Sequence, residues 1–109
     1  MGKIVDGYDL SGGNKLSDEV ASPNNWRVTA TTTGCPALQY VRIDFEVEDS
    51  LGNWAVMTDD NDRPIQMTLR GNETKSRNPI VVNAANSRVV VRPPKESPSV
   101  TINVDSNNA

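Results

Sequence analysis

Three groups of side chains in this sequence could do chemistry. Asp44 and Glu46 stand two residues apart in the segment Tyr40-Val41-Arg42-Ile43-Asp44-Phe45-Glu46-Val47-Glu48. On a strand, which rises about 3.3 Å per residue, they would project from one face about 7 Å apart. Carboxylates at that separation resemble the pair of an inverting glycosidase. Any strand with acids at i and i+2 gives the same spacing, so a solvated or partner-facing row of acids is the default. Asp59, Asp60 and Asp62 cluster hard oxygen ligands as a calcium loop would. Arg63 and Pro64 follow where further ligands or a turn glycine belong. A polar turn is therefore favoured and no metal is expected. Cys35, in Gly34-Cys35-Pro36, would need a basic side chain or a helix start beside it to become a reactive thiolate. A passive thiol at a strand end is the favoured reading.

The missing residue types decide more. With no histidine, neither a Ser-His-Asp arrangement nor a histidine-containing zinc site can be built. One cysteine supplies neither an intrachain disulfide nor a thiolate cage. No Gly-x-Gly-x-x-Gly or phosphate-loop pattern occurs; Gly12-Gly13 stands alone. The tripeptide Asn72-Glu73-Thr74 matches a glycosylation sequon, a pattern short enough to arise by chance. No enzyme activity and no cofactor are expected.

The elements that would carry these residues are strands. In residues 39–48, Val41, Ile43, Phe45 and Val47 share one parity, while Tyr40, Arg42, Asp44, Glu46 and Glu48 share the other. A helical 100° step would scatter the four apolar side chains, whereas a 180° step gathers them on one face. Trp26, Val28, Ala30 and Thr32 alternate likewise, as do Ile65, Met67 and Leu69, and Val100, Ile102 and Val104. Further strands are predicted near Ile4, at 54–58, and as a hairpin of Ile80–Val82 with Arg88–Arg92. Residues 71–79 read as a long polar loop. The fold class expected is all-β: a small antiparallel β-sandwich, Ig-like or jelly-roll-like, with about seven or eight strands and little or no helix.

Residues 1–25 are expected to be an edge strand followed by an arm or long loop, a surface loop being favoured over a partner-clasping arm, with at most one helical turn capped by Ser17. Residues 26–104 would form the sandwich and 105–109 a polar tail. The segment Ile43 to Asn53, an alternating strand ending in Asp-x-x-Gly-Asn, resembles the strand-and-turn of immunoglobulin-like domains in bacterial surface proteins. The Cys…Trp…Cys pattern of antibody domains is absent.

The register of the hairpin formed by residues 39–48 and 54–58 matters for function. If Glu48 faces Trp54 across the 49–53 loop, Val47 faces Ala55 and Phe45 faces Met57 on the core side. The opposite side then carries Trp54, Val56 and Tyr40 among Asp44, Glu46 and Glu48, as an interface hot spot or sugar-stacking platform would.

Charge is also blocked along the chain. Residues 44–62 hold acids and no base; residues 63–95 hold Arg63, Arg70, Lys75, Arg77, Arg88, Arg92 and Lys95 against the single acid Glu73. On separate surfaces these blocks would let copies meet acid to base; on neighbouring strands they would cancel within one subunit. Nucleic acid is disfavoured, because the net charge is −3 and no aromatic residue follows Trp54.

The core is lean, at 36% apolar residues with two tryptophans, two tyrosines and one phenylalanine, which suits a domain that packs against others. The leading expectation is a non-enzymatic, self-associating structural subunit, of a virus or phage particle (coat, decoration or tail component). Its partners would be itself and other virion proteins, with no membrane contact. The expected interface residues are Tyr40, Asp44, Glu46, Glu48, Trp54, Arg70, Lys75, Arg77, Arg88 and Arg92. The alternative is a cell-surface adhesion or carbohydrate-binding Ig-like module. Met1 to Val5 lack the apolar run of a secretion signal, so a virion or cytoplasmic location is expected, or the cell surface if the chain belongs to a larger secreted protein.

Overall fold

A computed structural model describes residues 2–21, 26–79 and 85–107. In chain order the strands are β1 (Gly2–Asp9), β2 (Lys15–Leu16), β3 (Val20–Ala21), β4 (Val28–Thr33), β5 (Val41–Glu48), β6 (Trp54–Val56), β7 (Gln66–Leu69), β8 (Thr74–Arg77), β9 (Asn86–Arg92) and β10 (Thr101–Ser106). The helix among the described residues is one 3-10 turn, Leu10–Gly12. All pairings are antiparallel. The first sheet has the order β1-β10-β4-β8; the second has β2-β9-β5-β6, with β3 also pairing with β9 and β7 with β5.

The two inner faces meet in one core. From the second sheet come Val41, Ile43 and Phe45 on β5 and Val89 and Val91 on β9; from the first come Val28, Ala30, Ile102 and Val104. Trp26, just ahead of β4, crosses the interior to meet Phe45 edge to face at 5.7 Å. Its indole N–H donates to Ser106 Oγ at 3.0 Å, so the largest buried side chain leaves no polar atom unpaired. The period-2 pattern is thus cashed as apolar contact between sheets, the main favourable term in folding.

β5 is the central strand of its sheet. β9 pairs along one edge from Arg42↔Arg92 to Glu48↔Asn86. Along the other edge lie β6, from Glu48↔Trp54 to Glu46↔Val56, and β7, from Asp44↔Gln66 to Val41↔Leu69. β6 and β7 are therefore two halves of one interrupted strand. Between them the chain leaves as a tongue whose neck is the Thr58↔Pro64 bridge and the Ile65 N–H bond to Met57 O at 2.9 Å. Residues 58–64 are all exposed.

The tongue tip and the β5–β6 hairpin share one loop design. Asp49 Oδ1 accepts from the N–H groups of Leu51 (2.8 Å) and Asn53 (2.9 Å), and Asp59 Oδ1 from those of Asn61 (2.9 Å) and Arg63 (3.0 Å). In each, the aspartate N–H donates to the carbonyl four residues on. The fourth loop position has positive φ in both: Gly52 at 85° and Asp62 at 58°.

Four expectations are revised. The segment expected to be a polar loop, residues 71–79, contains β8, an edge strand with every side chain exposed. It carries no apolar alternation because its hold on β4 is polar: Ser76 and Thr74 hydroxyls bond those of Thr29 and Thr31 at 2.8 and 3.0 Å. Residues 1–25 do begin with an edge strand, β1 in the first sheet, but the stretch expected as an arm or long loop carries β2 and β3, which join the second. Ser17 caps no helical turn; its Oγ accepts from Val89 N at 2.9 Å and so stitches the chain to β9 between β2 and β3. The expected polar tail is not separate either, for β10 continues to Ser106 and Asn107 N donates to Arg27 O at 3.1 Å. The predicted strand at Ile80–Val82 lies outside the described residues.

Candidate binding face

The outer face of the second sheet gathers most of the residues singled out by type and spacing. Along β5 it presents Arg42, Asp44, Glu46 and Glu48. The register places Arg92, Val90, Arg88 and Asn86 beside them on β9, and Trp54 and Val56 on β6. The hairpin register is the expected one, so Trp54 lies on this outer side while Val47 packs against the core.

Each acid here is held by a side chain of the neighbouring strand, two of them by arginines. Arg88 Nε donates to Glu46 Oε1 at 2.8 Å, and its guanidinium lies 3.9 Å from the centre of the Trp54 ring. Asn86 Nδ2 donates to Glu48 Oε1 at 2.8 Å. Arg92 Nε donates to Asp44 Oδ2 at 2.7 Å, and Arg42 Nη2 reaches the same oxygen at 3.3 Å. The acidic and basic blocks of the sequence therefore cancel locally where β5 meets β9. Of the two arrangements open to those blocks, this face shows the one within a single subunit.

The other expected interface residues divide. Tyr40 is half-exposed, with Arg70 Cζ 5.4 Å from its ring centre. Lys75 and Arg77 belong to β8 in the other sheet, where they cap the free edge of β7: Lys75 Nζ donates to Thr68 O at 2.6 Å and Arg77 Nη1 to Gln66 O at 2.7 Å. They close an exposed strand edge that would otherwise offer bare carbonyls.

At the Tyr40 end of this face lies a cleft of about 460 Å³, lined by Gln39, Tyr40, Arg42, Arg92, Pro93, Pro94 and Lys95 among others. Gln39, Arg42 and the two prolines carried no signal in the sequence: Arg42 was one polar residue in an alternating strand, and Pro93-Pro94 a strand terminator. Only the Arg42↔Arg92 register reveals them as a group.

The chemical candidates fall in quieter places. Cys35 is buried in the core beside main-chain oxygens of Pro36, Gln39 and Leu69 at 3.6 to 3.9 Å, and its sulfur bonds to no basic side chain among the described residues. Asp44 and Glu46 are each engaged by an arginine. Asp59, the first of the acidic run, spends one oxygen holding its own loop. Among the described residues no three His, Cys, Asp or Glu side chains converge as a metal centre needs. Asn72 Oδ1 accepts from Gly34 N at 2.8 Å, a structural use of the sequon amide.

Two carboxyls are held below their ordinary range. For Asp49 the main cause is the Asn53 N–H, with Leu51 N–H adding to it; for Asp9 it is the Ser11 N–H, then the hydroxyls of Ser11 and Ser99. Both serve loops.

The architecture is that of an antiparallel all-β sandwich. Among solved structures the chain is similar to the crystal structure of PirA, with a TM-score of 0.56 and 16% identity over 84% of this chain and 79% of that one. At such identity the likeness defines the fold alone. No family model matches the chain, and no curated protein is similar to it.

Proposed function

We propose that this chain is a non-enzymatic structural subunit that self-associates through the outer face of its second sheet, as a coat, decoration or tail component of a virus or phage particle. The observation that supports this reading is an asymmetry between the two outer faces. The first sheet presents Thr29, Thr31, Thr33, Thr74, Ser76, Thr101, Asn103 and Asp105 to solvent. The second exposes Leu16, Tyr40 and Val56 and adds half-buried Trp54, with the Arg88–Glu46 pair closed beside Trp54 and Val56. Aromatic and aliphatic anchors bordered by satisfied charges have the make-up of an interface centre with a polar rim. Because the arginine–carboxylate pairs are closed within the subunit, association on this face is driven mainly by apolar burial and tolerates salt.

Light-scattering mass across protein concentration tests this. A multimer that persists in high salt and dissociates in Trp54→Ala or Val56→Ser is the expected result; a monomer at every concentration refutes it. The second reading, an adhesion or carbohydrate-binding Ig-like module, draws on the same exposed rings. A monomer that binds glycans, and loses them in Trp54→Ala, would select it.

A further inference from the structure

The cleft beside Tyr40 breaks a local rule of sheet building. Arg42 and Arg92 lie directly opposite one another on β5 and β9, and like charges so placed repel. A single carboxylate, Asp44, serves both through one oxygen, Oδ2. Two arginines against one acid leave one positive charge, and Lys95 on the cleft wall adds a second. Departures of this kind from consistent design are expected at functional sites.

Donors are left over as well. Arg92 uses Nε on Asp44 and Arg42 uses Nη2, so the remaining guanidinium N–H groups make no hydrogen bond to the described residues. Arg42 Nε is shut away from solvent without a partner, and so is Gln39 Oε1. Both residues line the same cleft. A buried polar group left unpaired is costly; a ligand meets the outer N–H groups of Arg42 and Arg92, whose side chains are 40% and 35% exposed, and meets Gln39 Oε1 once that amide turns toward the cleft. An oxyanion supplies acceptors to the arginines, and a hydroxyl supplies a donor to Gln39. Tyr40, Pro93 and Pro94 offer apolar surface against which a small ring lies flat. The cleft volume of about 460 Å³ is within the usual range for small-molecule sites.

We propose that this cleft binds a small hydroxylated organic anion, of the sugar-acid or sugar-phosphate type, with Arg42, Arg92 and Lys95 holding its charged group and Gln39 a hydroxyl. The site is built from groups inside one subunit but shares Tyr40 with the proposed association face, so it is titrated at a protein concentration where light scattering gives a monomer.

The test is a titration of ¹⁵N-labelled protein with glucuronate, glucose 6-phosphate and glucose, read by amide shifts. Saturable shifts confined to residues 38–42, Arg92 and Lys95 (the two prolines between having no amide N–H), with a midpoint of about 1 mM or lower, are expected for the two anions and not for glucose. A response to glucuronate alone assigns a carboxylate, and one to the phosphate alone a phosphoryl group. Lys95→Ala, which touches no ion pair of the fold, and Arg42→Gln should each weaken binding about tenfold. The proposal fails if neither anion saturates, if glucose shifts the same amides equally, or if Lys95→Ala binds like the parent.

Discussion

Arg92→Met separates the energetic roles of the two arginines around Asp44. The substitution keeps most of the aliphatic stem and removes the Nε donor 2.7 Å from Asp44 Oδ2. Asp44 is 3% exposed and its Oδ1 already lacks a partner, so only the 3.3 Å contact from Arg42 would remain. A hydrogen bond to a charged group is worth about 1.5–3 kcal/mol. The Arg92 side chain is 35% exposed, which places the pair in the lower half of that range, at about 1.8 kcal/mol, and relief of the Arg42–Arg92 repulsion returns about 0.3 kcal/mol. A net loss of about 1.5 kcal/mol follows. Arg42→Met removes a longer bond from a more exposed side chain and should cost about 0.5 kcal/mol. In urea, with a slope near 1.5 kcal/mol per molar, the midpoints should fall by about 1 M and about 0.3 M. Protein concentration must be held equal and low, since association would itself raise stability. A double-mutant cycle with Asp44→Asn should return a coupling of about 1 kcal/mol for Arg92. An Arg92→Met midpoint within about 0.3 M of the parent, or an Arg42→Met that costs more, would refute the reasoning.

Asp62 stands at the left-handed position that glycine fills in the sister loop, so Asp62→Gly should raise stability by about 0.5 kcal/mol in thermal melts, and Gly52→Asp should lower it by a similar amount. Asp62→Asn, which keeps the backbone demand and removes the charge, should give little of that gain. Asp9 and Asp49 have folded-state pKa values below the unfolded value. Their contribution is therefore present above the ordinary aspartate range and is lost as pH falls through the folded values. Urea midpoints measured from pH 6 down to about 3 should decline less steeply in the Asp9→Asn/Asp49→Asn double variant than in the parent.

What the sequence disclosed follows what side-chain alternation can carry. β5 was legible because one of its faces is apolar without exception, and the β5–β6 hairpin because Asp-x-x-Gly-Asn dictates a loop length and with it a register. β8 was not legible, since its partners are hydroxyls and carbonyls and any polar segment could write the same letters. β1 is only weakly legible because register shifts around Val5 let both Ile4 and Val5 turn inward, which breaks the period of two; β2 and β3, two residues each, are too short to show a period. The loop repeat is hidden in the sequence because Asp62 stands where its sister loop has Gly52. The charge blocks posed a question that only register answers, and the Arg42–Arg92 opposition, on which the cleft depends, spans residues fifty apart in sequence.

The interrupted strand has a practical consequence. Residues 58–64 leave the sheet and rejoin it through a neck fixed by main-chain bonds to β5 and to themselves, while the tip contributes nothing to the core. Closing a longer loop there adds only about 0.6 kcal/mol per doubling of length. The tongue is thus a natural splice point, where foreign peptide sequence could be displayed from the sandwich without disturbing either sheet.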